Sequence, residues 1–239
     1  MSECPGYKST HQSSFGKLVE EGVYSDDFEH APEAQRFFGK VMTEAFSKLP
    51  DRPGLQVLDC GCGAGSWLDY ISRMGLANVP DGYYGFDLTE QMIPVARKRM
   101  AHCAGEANFH AGDVLNEQDY RFPGGPDKYD LIMTYDVVQQ LPRSLQFKVC
   151  ETLLGKLAEG GVAVIFDNDC HSPFGRKMGF KKFVTQYLGI TLVPKYFCNA
   201  KYPPLQKFAD RIEAMGYSTH VRVSPNGMKR AMIICPATA

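Results

Sequence analysis

Three carboxylates spaced along the first half of a 239-residue chain could act on one ligand. Asp59 stands at the head of a turn of alternating glycines, Asp59-Cys60-Gly61-Cys62-Gly63-Ala64-Gly65. Asp87 closes the run Tyr83-Tyr84-Gly85-Phe86, and Asp113 follows the run Ala107-Asn108-Phe109-His110-Ala111. Glycines let a backbone turn sharply and approach a ligand with no Cβ in the way. A helix opening just after the turn would offer free N–H groups to a polar ligand. Asp87 lies about twenty residues beyond the turn, the spacing of a carboxylate that accepts hydrogen bonds from a ribose. A second group, Asp136, Asp167, Asp169 and His171, follows two later apolar runs. Such residues at strand ends can take a proton from a nucleophile, and an unperturbed imidazole titrates near neutrality.

These residues need a scaffold that brings strand ends to one edge. Leu55, Val57 and Leu58 read as a short buried strand, and Ser66 as the cap of a helix through Trp67, Leu68 and Ile71. A helix opens at Pro32 and places Phe37, Phe38, Val41, Met42, Ala45, Phe46 and Leu49 on one face before Pro50 and Pro53. Thr89 caps a helix reaching about Met100, with Pro94 early in it. Tyr129 to Thr134 is a fourth strand, and Leu145, Val149, Leu153 and Leu157 recur at helical spacing until Gly160-Gly161. Val162 to Phe166 is apolar throughout, as a buried parallel strand should be. Leu205, Phe208, Ala209, Ile212 and Met215 predict a last helix ending at Gly216. Tyr217 to Val223 and Ala231 to Cys235, joined through Pro225-Asn226-Gly227, predict a hairpin. The fold class is α/β: a Rossmann-like, doubly wound, seven-stranded sheet, mostly parallel with one antiparallel strand, plus an N-terminal helical arm and a cap insertion.

Composition narrows the partners. Net charge is −1 and hydrophobic residues make up 44%, so no global field selects nucleic acid or a membrane. No apolar run is long enough to span a bilayer, and Met1-Ser2-Glu3-Cys4-Pro5 lacks a charged-then-apolar signal. The eight cysteines are scattered without Cys-x-x-Cys spacing, which suits free thiols in a reducing cytoplasm. Residues 1–31 have an acidic middle (Glu20, Glu21, Asp26, Asp27, Glu29) and carry Phe15, Tyr24, Phe28 and His30. They read either as a solvated arm or as a lid that orders over a ligand. Residues 171–207 hold seven basic residues, seven aromatics and no acid. An insertion with that bias reads as a substrate cap.

In this order, the glycine turn, Asp87, Asp113, the segment from Asp130 to Pro142 and Gly160-Gly161 resemble the class I S-adenosylmethionine-dependent methyltransferases over about residues 55–166. The resemblance implies one domain over 1–239: an arm and helix (1–50), a cofactor-binding core (51–170), a cap (171–207), and a final helix and hairpin (208–239). It implies S-adenosyl-L-methionine as cofactor and S-adenosyl-L-homocysteine as product. Asp59 would anchor the methionine amino end, directly or through water. Gly61, Cys62, Gly63 and Gly65 would approach the carboxylate and ribose. Asp87 would hold the ribose hydroxyls, Phe86 and Leu88 would flank the adenine, and Asp113 and Val114 would meet its amino group and ring. Tyr135 and Asp136 would face the sulfonium and substrate. The expected reaction is displacement of the methyl by an oxygen or nitrogen of a small anionic or aromatic metabolite. Asp136, Asp167 and His171 are the candidate bases. Tyr24, Phe28, Tyr135, Asp136, Phe174, Phe180 and Tyr202 are the candidate substrate contacts. No metal, membrane span or nucleic acid is expected. The alternatives are magnesium held by Asp136, Asp167 and Asn168, a lipid headgroup or RNA as acceptor, a nicotinamide-dependent oxidoreductase, and a binding subunit without turnover. One departure from the resemblance is Val137-Val138-Gln139-Gln140, where many relatives carry histidine.

Overall fold

The computed structural model describes residues 7–25, 28–76, 80–103, 106–188, 190–193 and 199–237. Helices α1 (Tyr7–Glu20) and α2 (Pro32–Phe46) precede a run of alternating strands and helices. These are β1 (Gln56–Cys60), α3 (Ser66–Ser72), β2 (Gly82–Asp87), α4 (Met92–Met100), β3 (Glu106–Ala111), β4 (Tyr129–Tyr135), α5 (Arg143–Gly155) and β5 (Leu157–Asn168). Then come α6 (Pro173–Tyr187), α7 (Leu205–Glu213), β6 (Tyr217–Val223) and β7 (Lys229–Pro236). The seven strands form one sheet in the order β3-β2-β1-β4-β5-β7-β6. Strands β1 to β5 pair in parallel, and β7 runs antiparallel to both its neighbours.

The apolar strands are buried on both faces because each face is covered by helices. In β5, Val162, Val164 and Phe166 join the core under α2 and α3, whereas Ala163 and Ile165 join the core under α5 and α7. That is the two-residue alternation of a strand. Phe38 pins α2 to the sheet: it is fully buried, with its ring centroid 4.1 Å from Trp67 and 5.0 Å from Phe166.

Several local expectations are corrected. Residues 7–20 form a helix despite weak periodicity. The residue capping α3 is Gly65, in the left-handed region, and Ser66 is the helix's first residue. Thr89 gives α4 a backbone carbonyl, accepting from Met92 N–H at 3.0 Å, and makes no side-chain cap. Helix α5 ends at Gly155, so Leu157 and Gly160-Gly161 belong to β5. Tyr129 pairs with Leu157 and Leu131 with Val162, so the glycines ride in a bulge rather than ending a helix. Met215 lies past α7 and is 47% exposed. Among the described residues no helix is long and apolar enough to cross a membrane.

Phe38→Ala should cost about 3–5 kcal/mol in urea unfolding, since it empties a site between two buried rings. A loss under about 1 kcal/mol would mean that α2 is held elsewhere.

Candidate active site

The glycine turn is tied down from below. Gly61 and Cys62 N–H both donate to the Phe86 carbonyl, at 2.7 and 3.0 Å, so the turn folds over the end of β2. At Gly61, φ is 83° and a Cβ would fall 2.3 Å from Val137 Cγ2. At Gly63, φ is 51° and nothing lies within 4 Å of where a Cβ would be. That open space is a ligand's approach to the backbone.

Each of the three carboxylates has a distinct environment. Asp87 Oδ2 accepts from Gly63 N–H at 2.9 Å and Oδ1 from Thr89 N–H at 2.7 Å, which fixes the group at the lip of the turn. Each oxygen keeps a lone pair for a ligand hydroxyl. Asp113 Oδ1 accepts from Leu115 N–H at 3.0 Å, and Oδ2 is 2.6 Å from Lys8 Nζ of α1. Asp59 is 1% exposed, and among the described residues neither of its oxygens has a hydrogen-bond partner. Burial, and then the Asp87 charge, push its pKa well above the usual carboxylate range. Burial likewise raises the Cys60 and Cys62 thiols, so both stay protonated.

A cavity of about 430 Å³ opens over this turn. Gly61, Cys62, Gly63, Asp87, Leu88, Asp113, Val114, Tyr135 and Asp136 line one side. The arm supplies the other: His11 and Phe15 from α1, then Tyr24, Phe28 and His30. Successive rings touch, from His11–Phe15 at 4.4 Å through Tyr24–Phe28 at 5.0 Å to His30 stacked on Trp67 at 3.8 Å. Lys8 on Asp113 and Gln12 Nε2 donating to the Leu88 carbonyl at 3.1 Å hold α1 across the opening. His30 Nε2 lies 2.8 Å from Ser66 Oγ. Burial, then the Arg99 and Lys229 cations, lower the His30 pKa to about 4, so its imidazole is neutral at pH 7. A larger groove of about 680 Å³ lies between α2 and α3 but touches neither the glycines of the turn nor Asp87 and Asp113.

The candidate bases and substrate contacts separate. Asp136 is on the cavity wall with φ 61°, its Oδ1 accepting from Gln139 Nε2 at 2.6 Å and ion-paired with Lys229. Asp167 is fully buried off the wall, accepting from the N–H groups of Gln139 and Asn168 at 3.1 Å each. Burial and Asp136 raise its pKa. His171 is exposed and also off the wall. Tyr24, Phe28 and Tyr135 line the cavity; Phe174, Phe180 and Tyr202 do not. Phe174 stacks on Tyr202 at 6.3 Å, and Phe180 points to solvent at 67% exposure. The described part of the cap therefore does not roof this cavity. Lys195, Tyr196 and Phe197 of the cap, and Asp26 and Asp27 of the arm, lie outside the described residues. Lysine 229 was beyond sequence reasoning, since it reaches Asp136 from 93 positions away. His11 and His30 had only the arm's aromatic content as a signal.

A family model described as a methyltransferase domain matches residues 57–161. Over that span the chain carries a methyltransferase domain, and its fold is that of S-adenosylmethionine-dependent methyltransferases. No curated protein matches it. Its fold is similar to that of magnesium protoporphyrin IX methyltransferase from Synechocystis with bound S-adenosylhomocysteine: 18% identity, 96% of this chain, 100% of that one, TM-score 0.66. It is also similar to the plantazolicin methyltransferase BpumL with S-adenosylhomocysteine: 17% identity, 97% and 95% covered, TM-score 0.63. A complex titled DhpI-SAM-HEP is 14% identical over 98% of this chain and all of that one, with TM-score 0.61. The chain's own residues fit S-adenosylmethionine as cofactor. A buried carboxylate without a partner suits an ammonium, the open side of Gly63 suits a carboxylate or ribose, and Asp87 has spare lone pairs for hydroxyls.

A cation brought to Asp59 favours its ionised form, so its raised pKa falls on binding and a proton leaves. Binding of S-adenosylhomocysteine should therefore strengthen with rising pH until the free-state pKa is passed, and its heat should vary with the buffer's ionisation enthalpy. Asp59→Asn should abolish that variation and weaken binding about tenfold or more. An unchanged buffer dependence in the variant would remove Asp59 from the ammonium.

Proposed function

We propose that this methyltransferase moves the methyl group to an oxygen or nitrogen of a small anionic or aromatic molecule. The observation that carries the reading is the cavity wall, where Asp136, pinned by Lys229, sits among the arm's rings and beside the glycine turn. S-adenosylmethionine, when bound, supplies an electrophilic methyl on a sulfonium. The protein's task is then to align a nucleophile and keep water out. Alignment of two bound partners can lower a barrier by roughly 7–11 kcal/mol.

The chain's residues divide that task. Asp59 holds the amino end, directly or through water, Asp87 takes the ribose hydroxyls, and Leu88 and Val114 flank the adenine. Asp113 offers its lone pairs to the adenine amino group beside its ion pair with Lys8. Phe15, Tyr24 and Phe28 close the opening and provide faces for a flat or apolar acceptor. Lys229, which pairs with Asp136 on the cavity wall, brings a cation to that end of the pocket and would favour an acceptor bearing negative charge. Asp136, held in place by Gln139 and Lys229, takes the acceptor's proton as the new bond forms.

The test is incubation with methyl-labelled cofactor and an anion-exchange fraction of a metabolite extract. Label should enter a low-mass anionic product, and Asp136→Asn should slow it by at least about 100-fold while still binding S-adenosylhomocysteine. Label appearing only in RNA or lipid, or no transfer despite cofactor binding, would refute the reading.

A further inference from the structure

Helix α6 turns its aromatic residues outward. Phe180, Phe183 and Tyr187 are 67%, 52% and 73% exposed, and Leu188, Ile190 and Leu192 continue at 60%, 56% and 44%. Exposed apolar side chains grouped in this way mark an interaction site. Arg176, Phe180, Phe183 and Tyr187 follow the spacing i, i+4, i+7, i+11, so they share one helix face. The Phe183 and Tyr187 rings touch at 5.2 Å. Arg176 and Lys177 are exposed beside them. Residues 171–207 contain no Asp or Glu beside their seven Lys and Arg, of which Lys182 is buried and donates to the Ala200 carbonyl.

We propose that this face docks the enzyme on an anionic phospholipid bilayer, with α6 lying in the plane of the interface. Aromatic and aliphatic side chains would enter the boundary between headgroups and acyl chains while Arg176 and Lys177 meet lipid phosphates. Charge complementarity selects this occupant. A second copy of the chain would bring Arg176 and Lys177 face to face with their own counterparts. Single-stranded RNA would stack on the rings, but Leu188, Ile190 and Leu192 have no ring faces and gain from an apolar phase that RNA does not offer. None of the stripe lines the cavity, so it is not needed to hold the cofactor.

The test uses the full chain. Co-sedimentation is measured with vesicles of phosphatidylcholine alone and of phosphatidylcholine with phosphatidylglycerol, alongside gel filtration and a poly-uridine shift assay. The chain should bind only the anionic vesicles. Phe180→Ser/Phe183→Ser/Tyr187→Ser should weaken that binding at least about tenfold, as should Arg176→Glu/Lys177→Glu. The charge variant changes exposed residues only, so its thermal melt should match the wild type and it reads the proposal even where the triple variant fails to fold. Four outcomes would overturn it: no vesicle binding, equal binding to neutral vesicles, binding unchanged in the charge variant, or stripe-dependent self-association or RNA binding without vesicle binding.

Discussion

Two carboxylates on neighbouring parallel strands set the electrostatic problem that the rest of the structure surrounds. Asp87, 9% exposed on the cavity wall, is stabilised by two backbone N–H groups, whereas Asp59, 1% exposed, has none among the described residues. Desolvation and the charge of Asp87 both disfavour an ionised Asp59. An arriving cation relieves both terms together. An unpaired buried carboxylate costs stability, and its natural compensation is a ligand that carries positive charge.

The packing serves to keep that exchange dry and aligned. Phe38, Trp67 and Phe166 form a stack that fixes α2 and the start of α3 against the sheet. His30 continues the stack on the other face of Trp67, so the arm's rings are anchored to the core rather than free in solvent. Lys8 and Gln12 then fasten α1 to Asp113 and Leu88, just past the ends of β3 and β2.

How much of this could be read from the sequence depends on how local each signal is. The strands from β1 to β5 announce themselves as apolar runs, and the glycine turn and the carboxylates after β1, β2 and β3 are sequence-local punctuation. Gly160-Gly161 misled because glycines in a strand bulge and glycines after a helix look alike without the pairing of Tyr129 with Leu157. Helix α1 was hidden because it is held by side-chain ties of Lys8 and Gln12 rather than by a continuous apolar face. The direction of the cap's side chains is not legible in its composition, which shows aromatics and lysines between 171 and 207 but not that Phe180, Phe183 and Tyr187 face outward. The pairing of Asp136 with Lys229 joins β4's end to β7, and no spacing rule reaches across 93 positions.

The most direct measurement is a crystal structure of the full chain with S-adenosylhomocysteine. The expected result places the amino group at Asp59, directly or through one water, both ribose hydroxyls on Asp87, and the adenine between Leu88 and Val114. A ligand seated in the groove between α2 and α3, or a bound state in which Asp59 still lacks a partner, would contradict it.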